Sequence, residues 1–151
     1  MQSVKKSVLV PFSAADMFGL VDGVERYPEF LPWCSGARIL ETHEGGKTAR
    51  VDINYHGVHA HFTTDNVNRP PESIVLTLNN GPFRHLHGEW RFHALAEDAC
   101  KVELELSYQF STHVLEKVVG PVFGHIASTM IDAFVRRAEE CHRPVAALPG
   151  T

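Results

Sequence analysis

The sequence has few cysteines, no excess of positive charge and no uncharged apolar run. Its three cysteines, Cys34, Cys100 and Cys141, are an odd number with no CxxC pair. That suits a reducing compartment and no disulfide framework. The residues from Met1 to Lys6 lack the apolar segment of a secretory signal. The longest apolar stretch carries Glu116, Lys117, His125 and Asp132, which argues against a membrane span. With a formal charge of −4, wholesale neutralisation of phosphates is disfavoured and no DNA partner is expected. A cytoplasmic protein, possible contact with the inner membrane aside, is the default. The sequence contains no nucleophile elbow, P-loop, HExxH or dinucleotide fingerprint.

What is present is a long apolar helix pattern from about Thr112 to Cys141. Its apolar residues form two rows four apart: Val114, Val118, Val122, Ile126, Met130 and Phe134 beside Leu115, Val119, Phe123, Ala127, Ile131 and Val135. A step of four overshoots one helical turn by about 40°, so each row drifts around the axis and suits a curved partner. Gly120-Pro121 predicts a kink there, or a fresh start with Pro121 as the first helical residue. Gly120 and Gly124 suggest a close approach of helix and sheet.

Before this helix the period is mostly two. Residues 3–10 read as a strand ended by Pro11. Ser13 then caps a short helix, with Asp16 at its third position, a Phe12–Met17 staple and Gly23 at its end. Two prolines prevent a regular helix over Val24–Cys34, which leaves Tyr27, Phe30, Leu31 and Trp33 as a satellite cluster or a flap at a cavity mouth. From 35 to 110 apolar and polar residues alternate, and Cys100, Val102, Leu104, Leu106, Tyr108 and Phe110 form one face of the clearest strand. Glu44-Gly45-Gly46-Lys47, Asn68-Arg69-Pro70-Pro71, Asn79-Asn80-Gly81-Pro82 and Glu97-Asp98 supply the turns. The sum is an α+β fold: about seven antiparallel strands curved around one long C-terminal helix, in a single domain over 1–142, with a flexible tail over 143–151. Such a sheet need not close completely on its helix, and an elongated apolar cavity can remain between them.

Few residues suggest chemistry. His59 and His61 share a strand face, but it is the polar face and spacing fixes no third ligand, so no metal is expected. His87, Glu89, Arg91 and His93 sit on the same kind of face and predict cross-strand charge pairing. The inward face offers only Thr64, Tyr55, Tyr108 and Cys100 as polar groups, a poor set for general acid–base catalysis, so a non-enzymatic protein is expected.

Three stretches give the chain a resemblance: Val24-x-x-Tyr27-Pro28-Glu29-Phe30-Leu31-Pro32-Trp33-Cys34, Phe83-x-x-Leu86-x-Gly88-x-Trp90-x-Phe92, and Met130-Ile131-Asp132-Ala133-Phe134-Val135-x-Arg137-Ala138. Over nearly its whole length the chain resembles the START-like (polyketide cyclase/dehydrase-like) helix-grip superfamily, in the branch joining coenzyme Q-binding proteins to the ribosome association toxins (RatA). The first and last stretches are specific to that branch. The resemblance implies a cavity for ubiquinone or another isoprenoid quinone, in support of respiration. It equally implies a toxin that binds the large ribosomal subunit and blocks subunit association. Distant members are cyclases or hydrolases of small aromatic substrates, which is a third possibility.

The ligand-lining residues expected on the helix are Val118, Val122, Phe123, Ile126, Met130 and Phe134. Those expected on the sheet are Val51, Ile53, Phe62, Leu76, Trp90, Leu104 and Tyr108. Tyr27, Phe30, Leu31 and Trp33 would gate the cavity and touch a membrane surface; plain core packing is the alternative for each. A ribosome-docking protein would instead use outward charges such as Lys5, Lys6, Arg50, Arg91 and Arg137.

Overall fold

The computed structural model describes residues 1–142. The tail expected over 143–151 lies outside the described residues. Elements follow in the order β1 (Gln2–Val10), α1 (Ala14–Asp22), a 3-10 segment (Val24–Glu29), β2 (Cys34–His43), β3 (Gly46–Tyr55), β4 (Val58–Arg69), β5 (Ser73–Asn80), β6 (Phe83–Ala96), β7 (Ala99–Phe110) and α2 (His113–Cys141). The sheet is antiparallel and seven-stranded, in the order β1-β7-β6-β5-β4-β3-β2. Five hairpins build it from β2 to β7, and β1 then adds to the far edge, with Val10 opposite Cys100. The hairpin that joins β3 to β4 turns through His56 and Gly57, both at positive φ (50° and 79°). Such paired positive values match the right-handed twist of the flanking strands.

The start of α1 follows its sequence signals. Ser13 Oγ accepts from the Asp16 amide at 3.0 Å, and Phe12 and Met17 are both buried. Gly23 ends the helix by donating to the Gly19 carbonyl at 3.1 Å. The alternation of β7 holds throughout: all six residues named for its inner face are buried. On the outer face Arg91 bridges Glu103 at 3.2 Å and Glu105 at 2.9 Å across β6 and β7, the expected cross-strand pairing. Ala94, which alternation places on the inner face with Trp90 and Phe92, is exposed, on the part of β6 that runs past its last pairing with β5 at Arg91.

Two expectations about α2 are corrected. Gly120-Pro121 does not divide it: α2 is one helix of 29 residues with Pro121 inside, capped by Thr112, whose Oγ1 accepts from the Leu115 amide at 3.1 Å. The sheet takes the second row along its drift, and members of the first row join it farther on. Val119, Phe123, Ala127 and Ile131 of the second row are buried, then Ile126, Phe134 and Ala138 in line with the first. Val114 and Val118 are therefore 69% and 55% exposed, because the 40° drift brings their row onto the sheet only by Ile126. The glycines are not needed for close approach either. A Cβ at Gly120 would meet Phe110 at 3.8 Å, and one at Gly124 would meet Tyr108 at 4.0 Å, both ordinary contacts.

Candidate functional site

Between α2 and the sheet lies an apolar cavity, bracketed along the helix by two groups of aromatic rings. Phe123 meets Tyr108 at 4.7 Å, Phe83 at 4.9 Å and Phe62 at 6.0 Å between ring centroids. Phe134 meets Phe30 and Trp90 at 5.2 Å and Tyr27 at 5.5 Å. These anchors stand eleven positions apart, about 16 Å along the helix. Met130 is the side chain that α2 turns into the gap between them.

Of the expected lining residues, Tyr27, Trp33, Val51, Phe62, Leu76, Trp90, Leu104, Phe123 and Met130 do border the cavity. Leu31, Ile53, Tyr108, Ile126 and Phe134 are buried but pack within the core away from it, and Phe30 lies against Phe134. Val122 is half-buried and off the cavity, and Val118 is exposed, for the reason given by the drift of its row. Nor do the four residues of the flap form an exposed rim. Leu31 and Trp33 are 1% and 4% exposed, and the Tyr27 hydroxyl donates to the Val21 carbonyl.

The cavity also contains a polar pair that the alternation reading stopped short of. Asn66 follows Thr64 by two on β4, and both are buried against the cavity, with the Thr64 hydroxyl donating to Asn66 Oδ1 at 2.7 Å. The period of two, carried one step beyond Thr64, would have found Asn66. The approaching Asn68-Pro71 turn and the outward Val67, 51% exposed, masked it. Val24, Ala49, Leu86 and Leu106 complete the wall.

The space enclosed is about 70 Å³. Small-molecule sites usually offer roughly 300–1,000 Å³. The cavity in this conformation therefore has no room for a quinone ring with an isoprenoid tail. Its one ionisable wall residue, Tyr27, has its phenol pushed well above the ordinary value by burial, and further by Asp22 and Cys34. The nearby Cys34 thiol is pushed up to about 11, mainly by burial. Both shifts hold the groups neutral near pH 7 and away from acid–base work. Among the described residues no three His, Cys, Asp or Glu side chains converge as metal ligands would.

Two of the stretches that carry the family resemblance meet beside this cavity. Arg137 of α2 bonds Glu29 of the 3-10 segment at 2.7 Å and lies over the Phe30 ring at 5.0 Å. Lys47 of β3 ties the end of α1 through Asp22 at 2.7 Å. The segment between α1 and β2 is thus closed over the Phe134 end of the cavity by rings and ion pairs together.

A curved seven-stranded sheet gripping one long helix, with short helices after the first strand, defines the START-like helix-grip class. The chain belongs to the polyketide cyclase / dehydrase and lipid transport family, whose model matches residues 10–135. It is 46% identical over 142 residues to the ribosome association toxin RatA of Vibrio cholerae serotype O1, covering 94% of this chain and 99% of that one. It is 23% identical over 137 residues to the mitochondrial coenzyme Q-binding protein COQ10 homolog B of Xenopus laevis, covering 88% of this chain and 56% of the other. Among solved structures it superposes on the Zhui aromatase/cyclase of Streptomyces sp. R1128 with a TM-score of 0.77, at 21% identity and over 97% and 98% of the two chains. That likeness concerns the fold.

Proposed function

We propose that this protein acts in the cytoplasm as a ribosome association toxin, binding the large ribosomal subunit and hindering its union with the small one. The observation that carries this reading is the 46% identity to a protein of that name, which extends over nearly the full length of both chains. The cavity supports it from the other side, because about 70 Å³ leaves a resident quinone without space. The protein would then work by occupying a surface, and no catalytic step is required of it. The test is sedimentation of purified ribosomal subunits at an association-promoting magnesium concentration, with and without the protein in modest excess. The expected result is a loss of joined ribosomes, with the protein travelling with the large subunit. An unchanged profile, with the protein left at the top of the gradient, would overturn the proposal.

A second reading keeps a hydrophobic ligand, a quinone or other isoprenoid. The apolar wall and the match to a coenzyme Q-binding protein favour it. It requires the cavity to widen beyond its present volume. Mass spectrometry of an organic extract of the gently purified protein separates the readings: a stoichiometric isoprenoid supports the second, and its absence, with failure to take up added quinone, removes it.

A further inference from the structure

Trp33 forms a wall of the apolar cavity, and it also borders a second pocket. This pocket holds about 230 Å³ between α2, the end of β3 and the loop before β2. A void of about 150 Å³ already accepts a benzene ring, so a bicyclic purine is within its scale. Its sides are suited to a flat group. The Tyr55 and His125 rings lie parallel, 7° apart in plane at 5.5 Å between centroids, with His125 exposed. Pro32 borders the pocket as well.

Asp132 and Arg136, one helical turn apart on α2, are its charged groups. At that spacing an Asp and an Arg ordinarily pair. Here neither has an ion-pair partner among the described residues, while the adjacent Arg137 has two. Three of the five outward cations first considered for ribosome docking differ: Arg50 is bonded to Asp52, Arg91 to Glu103 and Glu105, and Arg137 to Glu29, whereas Lys6 reaches only the Ser128 carbonyl and Lys5 has no ion-pair partner among the described residues. The pocket thus combines a stacking surface, an uncommitted carboxylate and an uncommitted guanidinium.

We propose that this pocket binds one unpaired guanine of ribosomal RNA, an inference that rests on the ribosome-binding reading above. The base stacks against the free face of His125, as unpaired RNA bases stack on aromatic side chains. Asp132 accepts from the guanine N1–H and N2–H together, and Arg136 meets a neighbouring phosphate. Adenine presents an acceptor at N1 and would set a lone pair against the carboxylate, so the pocket discriminates between the purines. One bidentate contact of this kind corresponds to about tenfold or more in affinity.

The experiment pairs titration of the protein with 5′-GMP and 5′-AMP, followed by amide NMR shifts, with co-sedimentation on the large subunit. Wild type, Asp132→Asn and Arg136→Ala are compared, with retention of the amide spectrum confirming the fold of each variant. The expected result is a GMP preference of about tenfold that Asp132→Asn abolishes, with subunit binding weakened in both variants and a shallower salt dependence in Arg136→Ala. If wild type and variants bind the subunit alike, the pocket assignment is overturned and the ribosome reading survives. A GMP preference without any change in subunit binding would make this a free-nucleotide site and overturn the RNA occupant. If wild type itself fails to bind the subunit, the ribosome reading falls and the RNA occupant falls with it.

Discussion

The two ends of α2 are held to the sheet in different ways. Around Phe134 three rings converge, and Arg137 adds an ion pair to Glu29 and a cation–π contact with Phe30. Around Phe123 the contacts are rings alone, and the preceding turns expose Val114 and Val118 and carry Pro121, which leaves the residue 117 carbonyl without its helical donor. The C-terminal half is fixed by directional contacts that specify one arrangement. The N-terminal half is held by apolar area, which tolerates sliding and repacking. Whatever the cavity admits, the difference makes the Phe123 end the one that can yield.

The comparison can be broken most severely at its strong end. Phe134→Ala removes a fully buried ring and with it the support of Tyr27 and Phe30, so a loss of about 3–5 kcal/mol is expected in urea denaturation. A loss below about 1 kcal/mol would mean that the Phe134 end is not the anchor. At the weak end, Pro121→Ala restores an amide donor within an exposed turn. Helix propensity favours the change by about 3 kcal/mol, and the greater freedom of the unfolded chain takes back up to about 1, so a net gain near 2 is expected in the same melt. No gain would show that the helix is shaped around the proline. The smallest effect concerns Arg137→Ala. Glu29 is well exposed, so its ion pair is worth at most about 1 kcal/mol, and the contact with Phe30 adds about 0.5–1. A double-mutant cycle with Glu29→Ala isolates the ion-pair part, and that part should shrink in high salt.

Much of the fold was legible in the residues. Strict alternation from Cys100 to Phe110, the Ser13 cap and the turn chemistry each act locally, so periodicity and capping reach them. Which row of α2 meets the sheet was not legible. Both rows are apolar throughout, and only the curvature of the sheet decides that Val119 goes in and Val118 stays out. The site was harder for the same reason. Alternation places Ile53 and Val51 on the inner face equally, yet Val51 borders the cavity and Ile53 does not, because that depends on how volumes from three elements fail to meet. Asn66 stood within reach of the pattern. The pairing of Trp33 with two spaces did not, since nothing along the chain links Pro32 to Arg136.

The placement of β1 at the far edge of the sheet has a consequence in time. Gln2 pairs with Tyr108, so β1 waits for β7, roughly a hundred residues later. At about 5–20 residues per second that delay is about 5–20 s. Throughout it β1 carries unpaired amides and carbonyls, and the apolar face of the sheet has no helix across it, because α2 follows every strand. The nascent chain is therefore most dependent on chaperones just before the 29 residues of α2 emerge.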